Sequence, residues 1–199
     1  MPTRTVSVIL FERFELLDVF GPVEVLAAGE GITVEMVGPV ANEPVRSAQG
    51  TRVLADRGYA DLTDPDILLV PGGMGSRTLV RDASFCSWLA DTGRRAALVT
   101  SVCTGSAVLA AAGLLEGHQA TSNKRAFAWA SGFGDQVVWR GSARWVPDGD
   151  RWTASGVSAG TDMAVALLAA LTTPEHAAAV ARRIEYSPWP DPEHDPFAV

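Results

Sequence analysis

A chain of 199 residues, 47% of them hydrophobic and 20% charged, is long enough for one packed domain and too apolar to stay disordered. Its formal net charge of -7 excludes a general binder of nucleic-acid phosphates, which needs clustered lysine and arginine. The longest apolar run, MAVALLAAL, is less than half of the ~20 residues that a membrane helix requires, so neither a nucleic acid nor a membrane is an expected partner.

In chain order, VSVILF (6–11) predicts a buried strand, and LLDVFGPVEVLAAG (16–29) a helix with Pro22 in its first turn and Gly29 at its end. ITVEMVG (32–38) alternates as a strand, and DILLVPGG (66–73) is a strand that is apolar on both faces. ASFCSWLADTG (83–93) places Phe85, Trp88, Leu89 and Thr92 at helical spacing. AALVTSV (96–102) is the next buried strand, and GSAVLAAAGLL (105–115) the next helix. Short apolar strands separated by helices predict a parallel sheet covered on both faces. The character changes over 137–156, where alternation around PDGD (147–150) predicts an antiparallel hairpin added to that sheet. Two closing helices follow, at 161–171 and 174–186. The tail 187–199, with four of the chain's 12 prolines, reads as an extended strap.

Residues 1–199 are therefore expected to form a single α/β domain. The N-terminal stretch lacks the pattern of a secretory signal, and two cysteines make no disulfide framework, so a reducing, cytoplasmic setting is expected.

Three features carry chemistry. Cys103 ends an apolar strand, and the small residues Thr104, Gly105 and Ser106 follow it into a helix. That is the corner on which a nucleophile is exposed at the carboxyl edge of a parallel sheet. The N–H groups of the following helix are expected to lower the thiol pKa and to cradle developing charge, although a free cysteine is also often a small buried hydrophobe. The loop VPGGMGS puts Gly72, Gly73 and Met74 at the same edge, where backbone amides can approach a ligand or the loop can be a plain turn. Asp18, in the first strand-to-helix connection with Glu24, is bracketed by Leu16, Leu17, Val19 and Phe20, surroundings that favour its protonated form and suit a general acid.

Together VPGGMGS, VTSVCTGSAVLAAAGLL, ATSN, SGVSAGTDMAVAL and FGPVEVL resemble the DJ-1/PfpI superfamily, over 6–186. The resemblance implies a flavodoxin-like three-layer α/β sandwich with a mostly parallel central sheet and an elbow cysteine. The most similar branch is that of the isonitrile hydratases, which implies hydration of an organic isonitrile to an N-substituted formamide. Carried onto this chain, Cys103 is the nucleophile that forms a thioimidate and Asp18 the general acid and base. Gly73, Met74, Thr104 and Asn123 then contact substrate or stabilise charge. The resemblance implies no cofactor or metal, a small-molecule substrate, and a homodimer in which the helix with FGPVEVLAAG forms the two-fold contact. The departure is Asn123, near where the superfamily's proteases, amidases and glyoxalase-like members place a histidine. Asparagine takes no proton, which disfavours a Cys-His hydrolase.

Two other uses of the thiol stay open at this point, as a redox sensor and as part of a ligand-sensing domain similar to those of AraC-type regulators. Those regulators continue into a helix-turn-helix region, whereas this chain's prolyl tail leads to no expectation of DNA binding. His118, His176 and His194 lack metal-ligand spacing and read as surface or capping residues. Asp162 reads as a structural carboxylate at a helix start, Cys86 as core or interface, and Phe127 and Trp129 as candidates to line an apolar pocket.

Overall fold

The computed structural model describes residues 3–198; the first two residues and the last residue of the expected tail lie outside them. Strand β1 (Arg4–Ile9) leads into α1 (Leu16–Leu26) and β2 (Ile32–Gly38). A short antiparallel pair, β3 (Pro44–Arg46) and β4 (Arg52–Leu54), precedes β5 (Arg57–Gly58). Next come β6 (Ile67–Val70), α2 (Ser76–Leu79), α3 (Ala83–Arg95), β7 (Leu98–Val102) and α4 (Gly105–Ala111). The chain continues through β8 (Gln119–Ala120), α5 (Phe127–Ala130) and β9 (Val138–Trp139). It closes with β10 (Trp145–Asp148), β11 (Arg151–Ala154), α6 (Ala159–Leu171) and α7 (Pro174–Arg183).

One sheet holds seven strands in the order β10-β11-β7-β6-β1-β2-β5. It is parallel except at β10, which pairs antiparallel with β11. Strand β6 shows why helices cover both faces. Ile67 and Leu69 pack with Val25, Leu168 and Val180 of α1, α6 and α7, whereas Leu68 and Val70 pack with Leu89 and Leu109 of α3 and α4. A strand with no polar face must be buried twice, and the result is the three-layer α/β sandwich expected from the sequence.

From β1 the chain moves outward through α1 to β2, and from β6 it moves the other way through α3 to β7. Those crossovers lie on opposite faces, so the winding reverses between the adjacent strands β1 and β6. Their carboxyl ends open the crevice where ligands bind in such sheets.

Local differences from the sequence reading have physical causes. Pro22 lies in the interior of α1, where its missing N–H leaves the carbonyl of Asp18 without its helical donor. Helix α4 stops at Ala111 because Gly113 turns left-handed at φ 73°, although Leu114 and Leu115 after it remain buried. Helix α7 stops at Arg183, with Glu185 left-handed and the Tyr186 N–H donated to Ala181. The hairpin is confined to β10 and β11, with Gly149 and Asp150 as its turn. Val138 and Trp139 instead pair in parallel with Gln119 and Ala120. The short elements β3, β4, β5, α2 and α5 were not legible in the pattern. Among the described residues no helix is long and apolar enough to cross a membrane.

Candidate active site

Cys103 sits at the carboxyl end of β7 with φ 58°, a left-handed conformation that costs a non-glycine residue roughly 1–2 kcal/mol. Such strain persists only where the surroundings impose it. Here its N–H is shared between the carbonyls of Ala154 (3.1 Å) and Ser155 (3.0 Å), and its carbonyl accepts from the hydroxyls of Ser106 (3.1 Å) and Ser122 (3.0 Å). These bonds come from the end of β11, the segment after β8 and the start of α4, so the corner is fixed from both sides.

Asp18 lies in the first turn of α1 and is fully buried. Leu17 and Phe20, which flank it in sequence, are exposed, so the burial comes from the loop across the switch crevice. The Gly72 N–H donates to its Oδ2 at 2.9 Å, while Oδ1 is buried without a hydrogen-bond partner. Gly72 is required there, because a Cβ would stand 2.5 Å from the backbone nitrogen of Thr104 and 3.0 Å from the Asp18 carboxyl. The Gly73 N–H, expected to face a substrate, is donated instead to Thr104 Oγ1 at 3.0 Å. Ser76 Oγ lies 3.0 Å from the same oxygen and donates to the Gly73 carbonyl at 2.7 Å. Gly73 therefore braces Thr104 and has no free donor for a ligand.

Burial holds the Asp18 carboxyl well above the usual carboxylate range, with a smaller push from Glu15, against the opposing pull of the Gly72 N–H and the Cys103 thiol. Burial, followed by the charge of Asp18, likewise pushes the Cys103 thiol well above its ordinary range. The Thr104 N–H, the Asn123 amide and the Thr104 hydroxyl pull it back only in part. This reverses the expectation of a low thiol pKa: at a sulfur buried beside a carboxyl, the lost water outweighs the helix start. The two groups form one coupled pair, which sheds its first proton late for a carboxyl and its second late for a thiol.

Asn123 opens the turn after β8, with its Oδ1 accepting from Ala126 N–H at 3.1 Å and its amide close enough to the thiol to pull it down. Gly156 gives it room, since a Cβ there would fall 2.0 Å from Nδ2. Cys103, Asp18, Thr104 and Asn123 thus converge. The Met74 side chain is 47% exposed and in contact with Arg77, whose guanidinium lies 4.7 Å over the Trp129 ring. Trp129 packs edge-on against Phe133, and Phe127 against Trp139.

His118 and His194 pair with Asp148 and Asp191, and His176 accepts from the Glu30 N–H, so none takes part in the cluster. Asp162 forms a buried ion pair with Arg144 instead of capping its helix. Glu24 is exposed on α1. Sequence reasoning missed Gly72 as the partner of Asp18, and missed Ser76, Ser122 and Ser155. The only signal for Gly72, Ser122 and Ser155 was a position just beyond a strand end, and for Ser76 its place at the end of the loop VPGGMGS.

A left-handed cysteine between a parallel strand and a helix, beside the switch crevice, defines a nucleophile-elbow protein of the α/β class. The chain belongs to the DJ-1/PfpI family, whose sequence model matches residues 4–170. It is 34% identical to the isonitrile hydratase of Pseudomonas putida, in an alignment covering 98% of this chain and 86% of that one. A crystal structure of a ThiJ/PfpI family protein from Pseudomonas syringae superposes with a TM-score of 0.82 at 30% identity, over 96% of this chain and 78% of that one. Drosophila melanogaster DJ-1beta superposes with a TM-score of 0.81 at 22% identity, over 93% and 99% of the two chains, and shares the fold.

Proposed function

We propose that the protein is an isonitrile hydratase, adding water to an uncharged organic isonitrile R–N≡C to give the formamide R–NH–CHO. The observation that carries this reading is the Asp18 carboxyl: held by Gly72 through one oxygen, unpartnered at the other, and set beside the Cys103 thiol. The similarity to the P. putida enzyme supports it.

Between its two ionisations the pair carries one proton. Asp18 takes that proton from the thiol as Cys103 Sγ attacks the terminal carbon and delivers it to the same carbon, so that the S–H bond breaks, the S–C and C–H bonds form and the triple bond loses one pair. The product is the thioimidate R–N=CH–S–Cys103 and an Asp18 carboxylate. The carboxylate takes a proton from water as the oxygen adds to the imidate carbon, and passes it to nitrogen. Breaking the C–S bond releases the formamide, and the hydroxyl proton returns to the pair. The Thr104 N–H and the Asn123 amide, which pull the thiol down, stabilise it as attacking and leaving thiolate.

A redox-sensing use needs the same Cys103 thiolate, and production of formanilide distinguishes the hydratase from it. We further propose a homodimer through α1, whose Leu17 and Phe20 are 47% and 41% exposed.

The deciding experiment follows phenyl isonitrile with the purified protein and looks for formanilide. Turnover that disappears in Cys103→Ser and falls at least ~100-fold in Asp18→Asn supports the assignment. A folded wild type that produces no formanilide refutes it.

A further inference from the structure

The C-terminal strap, which lies beyond the family match, is tied into the same corner. Pro192 accepts the N–H groups of Arg144 (2.7 Å) and Trp145 (3.3 Å), and the Asp195 N–H donates to Ser142 at 2.7 Å. Arg144 is 5% exposed. Its guanidinium holds Asp162 at 2.6 Å and faces the tail carboxylate of Asp195 at 3.6 Å. Asp162 in turn accepts the Trp189 N–H of the strap at 2.8 Å. Side chains and main chain of the strap thus both close on Arg144.

From there two short paths reach Cys103. The Arg144 carbonyl accepts the Ser155 N–H at 2.8 Å, and the Ser155 carbonyl accepts the Cys103 N–H. On the other side, the half-buried Lys124 donates to the carbonyl of Ala143, next to Arg144, and to Thr121 at 2.8 Å. Its neighbour Ser122 donates to the Cys103 carbonyl at 3.0 Å, and Asn123 beside it is one of the groups that pull the thiol down. A left-handed cysteine depends on such over-determination, and the strap closes both sides of it.

We propose that Asp195, acting through Arg144 and Lys124, is a positioning residue for Cys103, so that the reactivity of the thiol depends on the strap being docked. The inference concerns the thiol and applies to the hydration reaction only insofar as the proposed function holds.

The test measures the rate of Cys103 alkylation by iodoacetamide against pH, in a Cys86→Ser background, together with kcat and KM for phenyl isonitrile. Asp195→Ala should slow alkylation by about tenfold or more, move its profile to higher pH, and lower kcat with KM little changed. Asp195→Glu, which keeps the charge, should recover most of the loss. Trp189→Ala, which loosens the strap from its 41% exposed face, should act in the same direction should Asp195→Ala fail to fold. Faster exchange of the Arg144 and Trp145 amides reports release of the strap. Release with unaltered alkylation and kinetics would overturn the inference. If the wild type does not turn over isonitrile, the alkylation profile alone decides, and only the hydratase reading falls.

Discussion

Asp18 and Gly72 meet across the switch crevice, where the Gly72 N–H reaches the buried carboxyl at 2.9 Å. They are far apart in sequence and adjacent only because β1 lies beside β6 in the sheet. The pairing places an acid next to a nucleophile at a cost in stability, and that cost depends on pH.

Below the ordinary carboxylate pKa of about 3.9, folded and unfolded chains both carry the Asp18 proton. As pH rises, the unfolded chain ionises while the folded one still holds the proton, so stability falls until pH passes the raised folded value. Asp18→Asn never ionises and keeps an acceptor for Gly72. Its melting temperature should exceed that of the wild type near pH 7.5, by about 3 °C for each kcal/mol gained, with the margin shrinking towards pH 4. A margin that grows as pH falls would contradict the burial of the carboxyl.

The same substitution removes the charge that, after burial, pushes the Cys103 thiol up. Iodoacetamide should therefore label Cys103 in Asp18→Asn with a pH profile displaced to lower pH, and several-fold faster than in wild type at about pH 8. Activity and thiol reactivity would then move in opposite directions, as expected when Asp18 is a proton donor and not merely an activator.

Strain at φ 58° predicts an unusual order among Cys103 variants. Cys103→Gly should be more stable than Cys103→Ala by about 1 kcal/mol, the reverse of the usual ranking, since glycine adopts this conformation freely. Equilibrium urea unfolding of the two inactive variants measures it.

Gly72→Ala would force a methyl against the Thr104 backbone and hydroxyl, at 2.5 and 2.6 Å. Neither neighbour is the end of a flexible chain, so the loop must shift. Destabilisation of about 2–3 kcal/mol is expected, with loss of hydration activity. Gly113→Ala, where nothing lies within 4 Å but φ is 73°, should cost less and leave activity intact.

Phe20→Glu puts a charge on the exposed face of α1. If two copies pair through that face, the variant should sediment at half the wild-type mass while keeping its secondary structure. A wild type that is already monomeric removes the dimer proposal.

Much of this architecture is local in origin. The apolar runs of β1, β6 and β7 already require a sheet buried on both faces. Small residues after Cys103 already require a tight strand-to-helix corner. The apolar bracket around Asp18 pointed to a protonated carboxyl, although Leu17 and Phe20 are exposed and the burial comes from Gly72 and Thr104. What the pattern could not contain was strand order and loop closure. These bring Asp18 to Gly72 and Cys103, spend the Gly73 N–H on Thr104, and turn Asp162 towards Arg144 and the strap. The thiol shows the limit most clearly. A helix start is visible in sequence and predicts a lowered pKa, but the water lost around the sulfur is set by every segment that packs over it, and it is the larger effect.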